Sequence, residues 1–302
     1  MTPLKPLLYF SLFKYPLTLE ELYAFSEARS RTSFEQELRC LVKDKVVYNI
    51  GDYYLCEDDE ALVSRRLKGN EGARNIFSKT EQMSRLISRF PFVDGVAVSG
   101  SLSKGYFDKD GDIDFFIITA PGRLWIARTL LVLFKKIFLL NSRKYFCVNY
   151  FISADSLEIE EKNRFTATEL VTMIPMYGNG SFEEFYQKNQ WAYGILPNQD
   201  FAAGISGLKQ VKKPIFTRMI EGVLRTRLGT ALDSLFLRIT YRKWKVKFDS
   251  LDTDSFNVAM KSTKNVSKHH PQNFQRKVIE RLNDKYREYQ EKYNIHLPQE
   301  HA

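Results

Sequence analysis

Two apolar runs, Val96-Ala97-Val98 and Phe115-Phe116-Ile117-Ile118, bracket a segment that opens with Gly100-Ser101 and closes with Asp112-Ile113-Asp114. Each run has the length and bulk of a buried strand, and Asp110-Gly111 marks a turn just before the second. The chain is thereby constrained to strand, small-residue loop, strand, with two acids on the second strand. Strand side chains alternate faces, so Asp112 and Asp114 are expected to point the same way, about 6.6 Å apart along the strand. Two charges beside four apolar residues would be costly in a plain core. The pair instead suits a hard divalent cation, which takes a few carboxylate oxygens, waters and phosphates. Gly100 lets backbone amides approach a polyphosphate, and Ser101 offers a hydroxyl.

Apolar strand, Gly-Ser, the spacer 102–111 and Asp-Ile-Asp-Phe together resemble the signature of the nucleotidyltransferase superfamily typified by DNA polymerase β. The resemblance rests directly on Val98 to Phe115. It implies a mixed-sheet α+β core and Mg²⁺-dependent transfer of a nucleoside monophosphate. The donor would be a nucleoside triphosphate such as ATP, the acceptor a hydroxyl of a small molecule or protein. The triphosphate would lie over Gly100 and Ser101, with Lys104 adding a cation, while Asp112 and Asp114 hold two Mg²⁺ ions. Arg123 and Arg128 are further candidates for phosphate contact.

Family members usually supply a third carboxylate from a later strand. The candidate strand here is Tyr145 to Ile152, with Tyr145, Cys147, Asn149 and Phe151 on one face. Asn149 stands nearest the expected position. An amide can coordinate a metal but carries no charge and cannot serve as a base. Three readings stay open: two aspartates suffice; Asp155, Glu158 or Glu169 completes the set; or the core is a non-catalytic nucleotide-binding or DNA-binding regulator. Asp108 to Asp112 has the look of a calcium loop, but its twelfth position is Thr119 and its flanks are strands, which excludes that motif.

The first 63 residues form a unit. Leu4, Leu7, Leu8, Leu12 and Phe13 recur at helical spacing before Pro16. Thr18 to Glu21 and Ser33 to Gln36 are capping boxes that open a second and a third helix. Val46–Ile50 and Tyr53–Cys56 then read as strands joined by Gly51-Asp52. Three helices followed by a hairpin resemble a winged helix. Glu35, Glu37 and Asp44 cancel Arg39, Lys43 and Lys45 on the third helix, so the electrostatic footprint of a DNA reader is weak.

The net charge of +9 comes from the C-terminal third, where residues 206–302 carry 20 basic and 10 acidic side chains. Lys212-Lys213 and Arg238 to Lys247 are its densest runs. They read as a wall for an anionic substrate or as a solvated helix face. Residues 64–75 look like a polar connector leading into a helix over 73–90. Arg164–Ile174 (stopped by Pro175), Pro214–Phe248 (weak at Gly222 and Gly229) and Gln272–Tyr293 read as further helices, and Tyr177 to Gly180 as a turn. Leu124 to Leu140 is broken by Arg128, Lys135 and Lys136, so it packs in a core and does not span a membrane. Three scattered cysteines and four histidines, all beyond residue 268, disfavour a disulfide framework or zinc site. With no secretory signal visible, a cytoplasmic location and no membrane partner are expected. The expected organisation is an α+β protein: a winged-helix-like domain (1–63), connector and helix (64–92), nucleotidyltransferase-like core (93–207) and basic helical C-terminal region (208–302).

Overall fold

The computed structural model describes residues 2–142, 144–200, 204–205, 207–270 and 273–301, residue 254 by its backbone only. The chain opens with α1 (Leu4–Ser11), β1 (Leu17–Thr18), α2 (Leu19–Ala24), α3 (Arg31–Lys43) and the hairpin β2 (Tyr48–Ile50) and β3 (Tyr53–Leu55). The small antiparallel sheet has the order β1-β3-β2. Thr18 and Glu21 form the capping box expected for α2. For α3 the cap is Ser30, which accepts from the Ser33 N–H, so the helix begins before the expected box at Ser33.

The long helix α4 (Glu60–Ser88) absorbs the stretch read as a polar connector. Its Gly69 and Gly72 are there for contact, because a Cβ would meet the Tyr106 ring at 2.1 Å and the Phe107 carbonyl at 2.2 Å. Arg66 ties α4 to the N-terminal unit through a bidentate pair with Glu21, both bonds 2.7 Å.

Next come β4 (Val93–Ser99), the one-turn α5 (Gly100–Ser103), β5 (Asp114–Thr119), α6 (Leu124–Phe138), β6 (Cys147–Ser153) and α7 (Arg164–Thr172). They are followed by β7 (Ile174–Gly178), α8 (Ser181–Lys188) and α9 (Ala192–Ile195). The segment around Pro175, read as a helix stop and turn, is thus a strand. It sits at the sheet edge, where a proline costs no ladder bond. Beyond it lie α10 (Ile215–Leu224), α11 (Arg227–Lys247), α12 (Thr253–Ala259), β8 (Val266–Lys268) and α13 (Phe274–Tyr293). Among the described residues the main sheet has five strands in the order β7-β4-β5-β6-β8. The β5–β6 pair is parallel, crossing over through α6, and the others are antiparallel.

The expected long helix over 214–248 is two helices. Arg123 holds the break, donating to the carbonyls of Leu224 at 2.8 Å and Arg225 at 2.9 Å. Arg128 lies half-buried between the rings of Trp125 and Trp244 and is pulled down to about 10 by desolvation. Both arginines serve packing. The C-terminal helix α13 closes the N-terminal core: Val278, Leu282 and Tyr286 pack with Leu4, Leu8, Leu17 and Phe34. No described helix is long and apolar enough to cross a membrane.

Candidate active site

A cavity of about 590 Å³ opens at the end of the main sheet where β4 stops and β5 begins. Gly100, Ser101, Lys104, Asp112, Asp114 and Asn149 all line it. The structure therefore gathers these six, but leaves Arg123, Arg128, Asp155 and Glu158, the other candidates, outside the cavity.

The register does much of this. Ser99 pairs with Asp114 across β4 and β5, which sets the next residue, Gly100, against the aspartate. Gly100 has φ +70°, and a Cβ there would meet Asp114 Oδ2 at 2.5 Å. Only glycine fits both the backbone and the contact. Asp112 lies in the approach to β5 and not within the strand, so its direction is set by the turn. Fully buried Ile113 pins the segment, donating its N–H to the Lys144 carbonyl at 2.9 Å.

Asn149 arrives by a bulge. Phe115 and Phe116 pair with Val148 and Tyr150, leaving Asn149 as the extra residue of β6. The expected shared face of Tyr145, Cys147, Asn149 and Phe151 is broken for this reason. Tyr145 precedes the strand, and after the bulge Phe151 joins Val148 in the core. Asn149 donates from Nδ2 to Asp114 Oδ1 at 3.0 Å.

Burial raises the Asp114 carboxyl to about 6, with the charges of Asp112 and Glu169 adding to the shift. Hydrogen bonds from Cys147 and Asn149 work against it. Burial and the Asp114 charge in turn push the Cys147 thiol up, keeping it a neutral donor. Among the described residues neither Asp112 nor Asp114 forms an ion pair within 4 Å.

Lys104 is differently placed. Its ammonium pairs with Glu169 at 2.7 Å and donates to the Gly100 carbonyl at 3.0 Å. Glu169 also accepts from the Gly100 N–H at 3.3 Å, so the two side chains hold this one residue by its N–H and its carbonyl. Of the three acids considered for completing the set, Glu169 reaches the cavity. Asp155 is exposed beyond β6, and Glu158 pairs at the surface with Lys162.

The far wall was not foreseen. It brings Phe10 and Tyr15 from the N-terminal unit together with Phe165, Glu161, Lys268 and His270. Burial, aided by Lys268, lowers His270 to about 4, so it is neutral near pH 7. Nearby Lys268 is only 7% exposed, bonded to Gln275 Oε1 at 2.9 Å and lowered by burial. Glu161 is desolvated, but Lys268 and Lys261 hold its carboxyl below the ordinary value. No local sequence pattern marks this wall, because its members come from distant segments.

Residues 80–168 match the family model described as the nucleotidyltransferase domain, less than a third of the chain. The match runs from the end of α4 into α7 and includes Gly100, Asp112, Asp114 and Asn149. It supports placing this segment, with its part of the mixed sheet, in that superfamily. No curated protein and no solved structure matches the chain. Among the described residues no group of three or more His, Cys, Asp or Glu side chains is arranged to hold a metal ion. The donors present are an amide and two carboxylates without an ion pair among the described residues, hard oxygen chemistry that fits Mg²⁺ shared with substrate phosphates.

Proposed function

We propose that the protein moves a nucleoside monophosphate from a nucleoside triphosphate, such as ATP, to a hydroxyl of a small molecule or protein. The supporting observation is that Asp112 and Asp114, neither in an ion pair among the described residues, line one cavity with the Gly100 bend, Asp114 lying against it. Asp112 and Asp114 would hold two Mg²⁺ ions, which supply charge neutralisation at the α-phosphate and at the attacking and leaving oxygens. Asn149 orients Asp114 by fixing Oδ1, which leaves Oδ2 against the Gly100 backbone. Lys104 and Glu169 hold the peptides on either side of Gly100, so the bend is preorganised for a polyphosphate. In this reading Lys104 binds phosphate through the bend it braces, and Ser101 adds a hydroxyl at the cavity edge.

Transfer of an α-labelled nucleotide in the presence of Mg²⁺ is the direct test. Asp112→Asn and Asp114→Asn should each lower the rate by at least about a hundredfold, roughly 3 kcal/mol of transition-state stabilisation. Undiminished labelling in either variant removes the proposal.

A second reading is a nucleotide- or DNA-binding regulator without transfer. It draws on Asn149 in place of an acid and on the N-terminal element order, α1-β1-α2-α3-β2-β3, which is that of a winged helix. Against DNA reading by α3, Arg31 at its start is engaged by Glu20 and Glu35. Salt-sensitive duplex binding that survives both aspartate substitutions would favour this reading.

A further inference from the structure

Helices α10 and α11 expose an unusual surface. On α10, Ile215, Phe216, Met219 and Val223 are 76, 72, 65 and 61% exposed. At about 100° per residue they fall within an arc of about 100°, with Arg218 and Arg225 along its border. On α11, Leu228, Leu235, Ile239 and Val246 are also exposed and align within about 40°, with Arg242 and Lys243 beside them. Contiguous exposed apolar side chains of this size mark an interaction face.

The charges indicate what it meets. Residues 212–247 contain ten basic side chains and two acidic ones. Both acids are turned inward. Glu221 accepts from the Phe92 N–H at 2.7 Å and from Lys213 at 2.6 Å, and Asp233 accepts from the Ile126 N–H at 3.0 Å. Every exposed charge on the two helices is therefore positive. A second copy docked on the same face would set cation against cation. A nucleic acid would satisfy the cations and leave the apolar side chains in water. Anionic headgroups lying over hydrocarbon satisfy both.

We propose that the α10–α11 face is an interfacial membrane-binding surface that lies on an anionic lipid bilayer, with its apolar side chains in the headgroup–acyl boundary. The platform is rigid. Thr217 donates to the Arg89 carbonyl at 3.0 Å, Glu221 binds the Phe92 amide, and Arg123 fixes the turn between the helices. This proposal departs from the sequence-based expectation of no membrane partner, and it needs no spanning segment. This inference is independent of the chemistry in the cavity.

Co-sedimentation of the full chain with vesicles tests it, comparing phosphatidylcholine containing about 30% phosphatidylglycerol with phosphatidylcholine alone. Binding is expected to the anionic vesicles only and to weaken with salt. The double variant Phe216→Glu, Met219→Glu should weaken it at least about tenfold. Both positions are exposed, and an unchanged melting temperature verifies that the variant folds. No association with anionic vesicles, or association indifferent to the double variant, overturns the proposal. So does a dimer in sedimentation equilibrium that this variant dissociates while vesicles go unbound. Duplex DNA retention lost in Arg218→Glu, Arg225→Glu but kept in the apolar variant would reassign the face to nucleic acid.

Discussion

Arg164 and Asp114 are both charged groups withdrawn from water, and the molecule treats them in opposite ways. Arg164 is 2% exposed, and the carboxylates of Glu27 and Glu300 meet its guanidinium. Lys5 pairs with Glu27 in turn at 2.9 Å. Burial disfavours the arginine charge, but Glu300 and Glu27 outweigh it and raise its pKa. Asp114 receives an amide and a thiol, and its charged neighbours are two more carboxylates. The first arrangement balances itself. The second sets Asp114 in the cavity wall with no ion pair of its own among the described residues. Where buried charge is unbalanced by design of the fold, function is the natural explanation.

The contrast can be broken or sharpened by measurement. The largest effect should come from Arg164→Met, which strands Glu300 and leaves Glu27 to Lys5 alone. A loss of about 3–5 kcal/mol in urea unfolding is expected, as for removal of one partner from a buried pair. A loss under about 1 kcal/mol would mean that the cluster is only a surface-grade ion pair.

Asp114→Asn should do the reverse and stabilise the fold by roughly 1–3 kcal/mol near neutral pH, while lowering transfer. The sign follows from the raised carboxyl. Its folded pKa, about 6, exceeds the unfolded one, so the folded state binds the proton more tightly. That contribution is present below the unfolded pKa and is lost as pH rises through about 6. The advantage of the asparagine, read as a melting-temperature difference, should therefore be present at pH 7.5 and vanish by about pH 4. A difference independent of pH would separate it from Asp114 ionisation.

The smallest effect is on rate. At subsaturating Mg²⁺, kcat/KM should climb about tenfold per pH unit below about 6 and level above it, because cation binding needs the ionised acid. A flat profile from pH 5 to 8 would show that the proton on Asp114 does not compete with the cation.

The site was legible because its key spacing is local. Val96–Val98, Gly100, and Asp112 to Ile118 lie within one hairpin-like excursion, and strand bulk plus small-residue punctuation disclose it. What escaped was set by contacts distant in sequence. Gly69 and Gly72 suggested a flexible connector, whereas their purpose is to admit Tyr106 and Phe107 against a helix. Pro175 looked like a stop because nothing local announces an edge strand. Three residues, Val266–Lys268, are too few to show periodicity, yet they complete the sheet. The bulge at Asn149 depends on the pairing of β5 with β6 and has no signature in β6 alone. Glu169 enters the site only because α7 passes under the Gly100 bend.

The placement of α13 bears on how the polypeptide is made. Leu4, Leu17 and Phe34 leave the ribosome well before Val278 to Leu297, the residues that seal their shared interior. The central sheet awaits only Val266–Lys268, whereas the N-terminal unit must wait with its oily flank uncovered until α13 has emerged. Nascent chains stalled before residue 278 should then be conspicuously protease-sensitive at their amino-terminal end, an inversion of the usual head-first order of domain maturation.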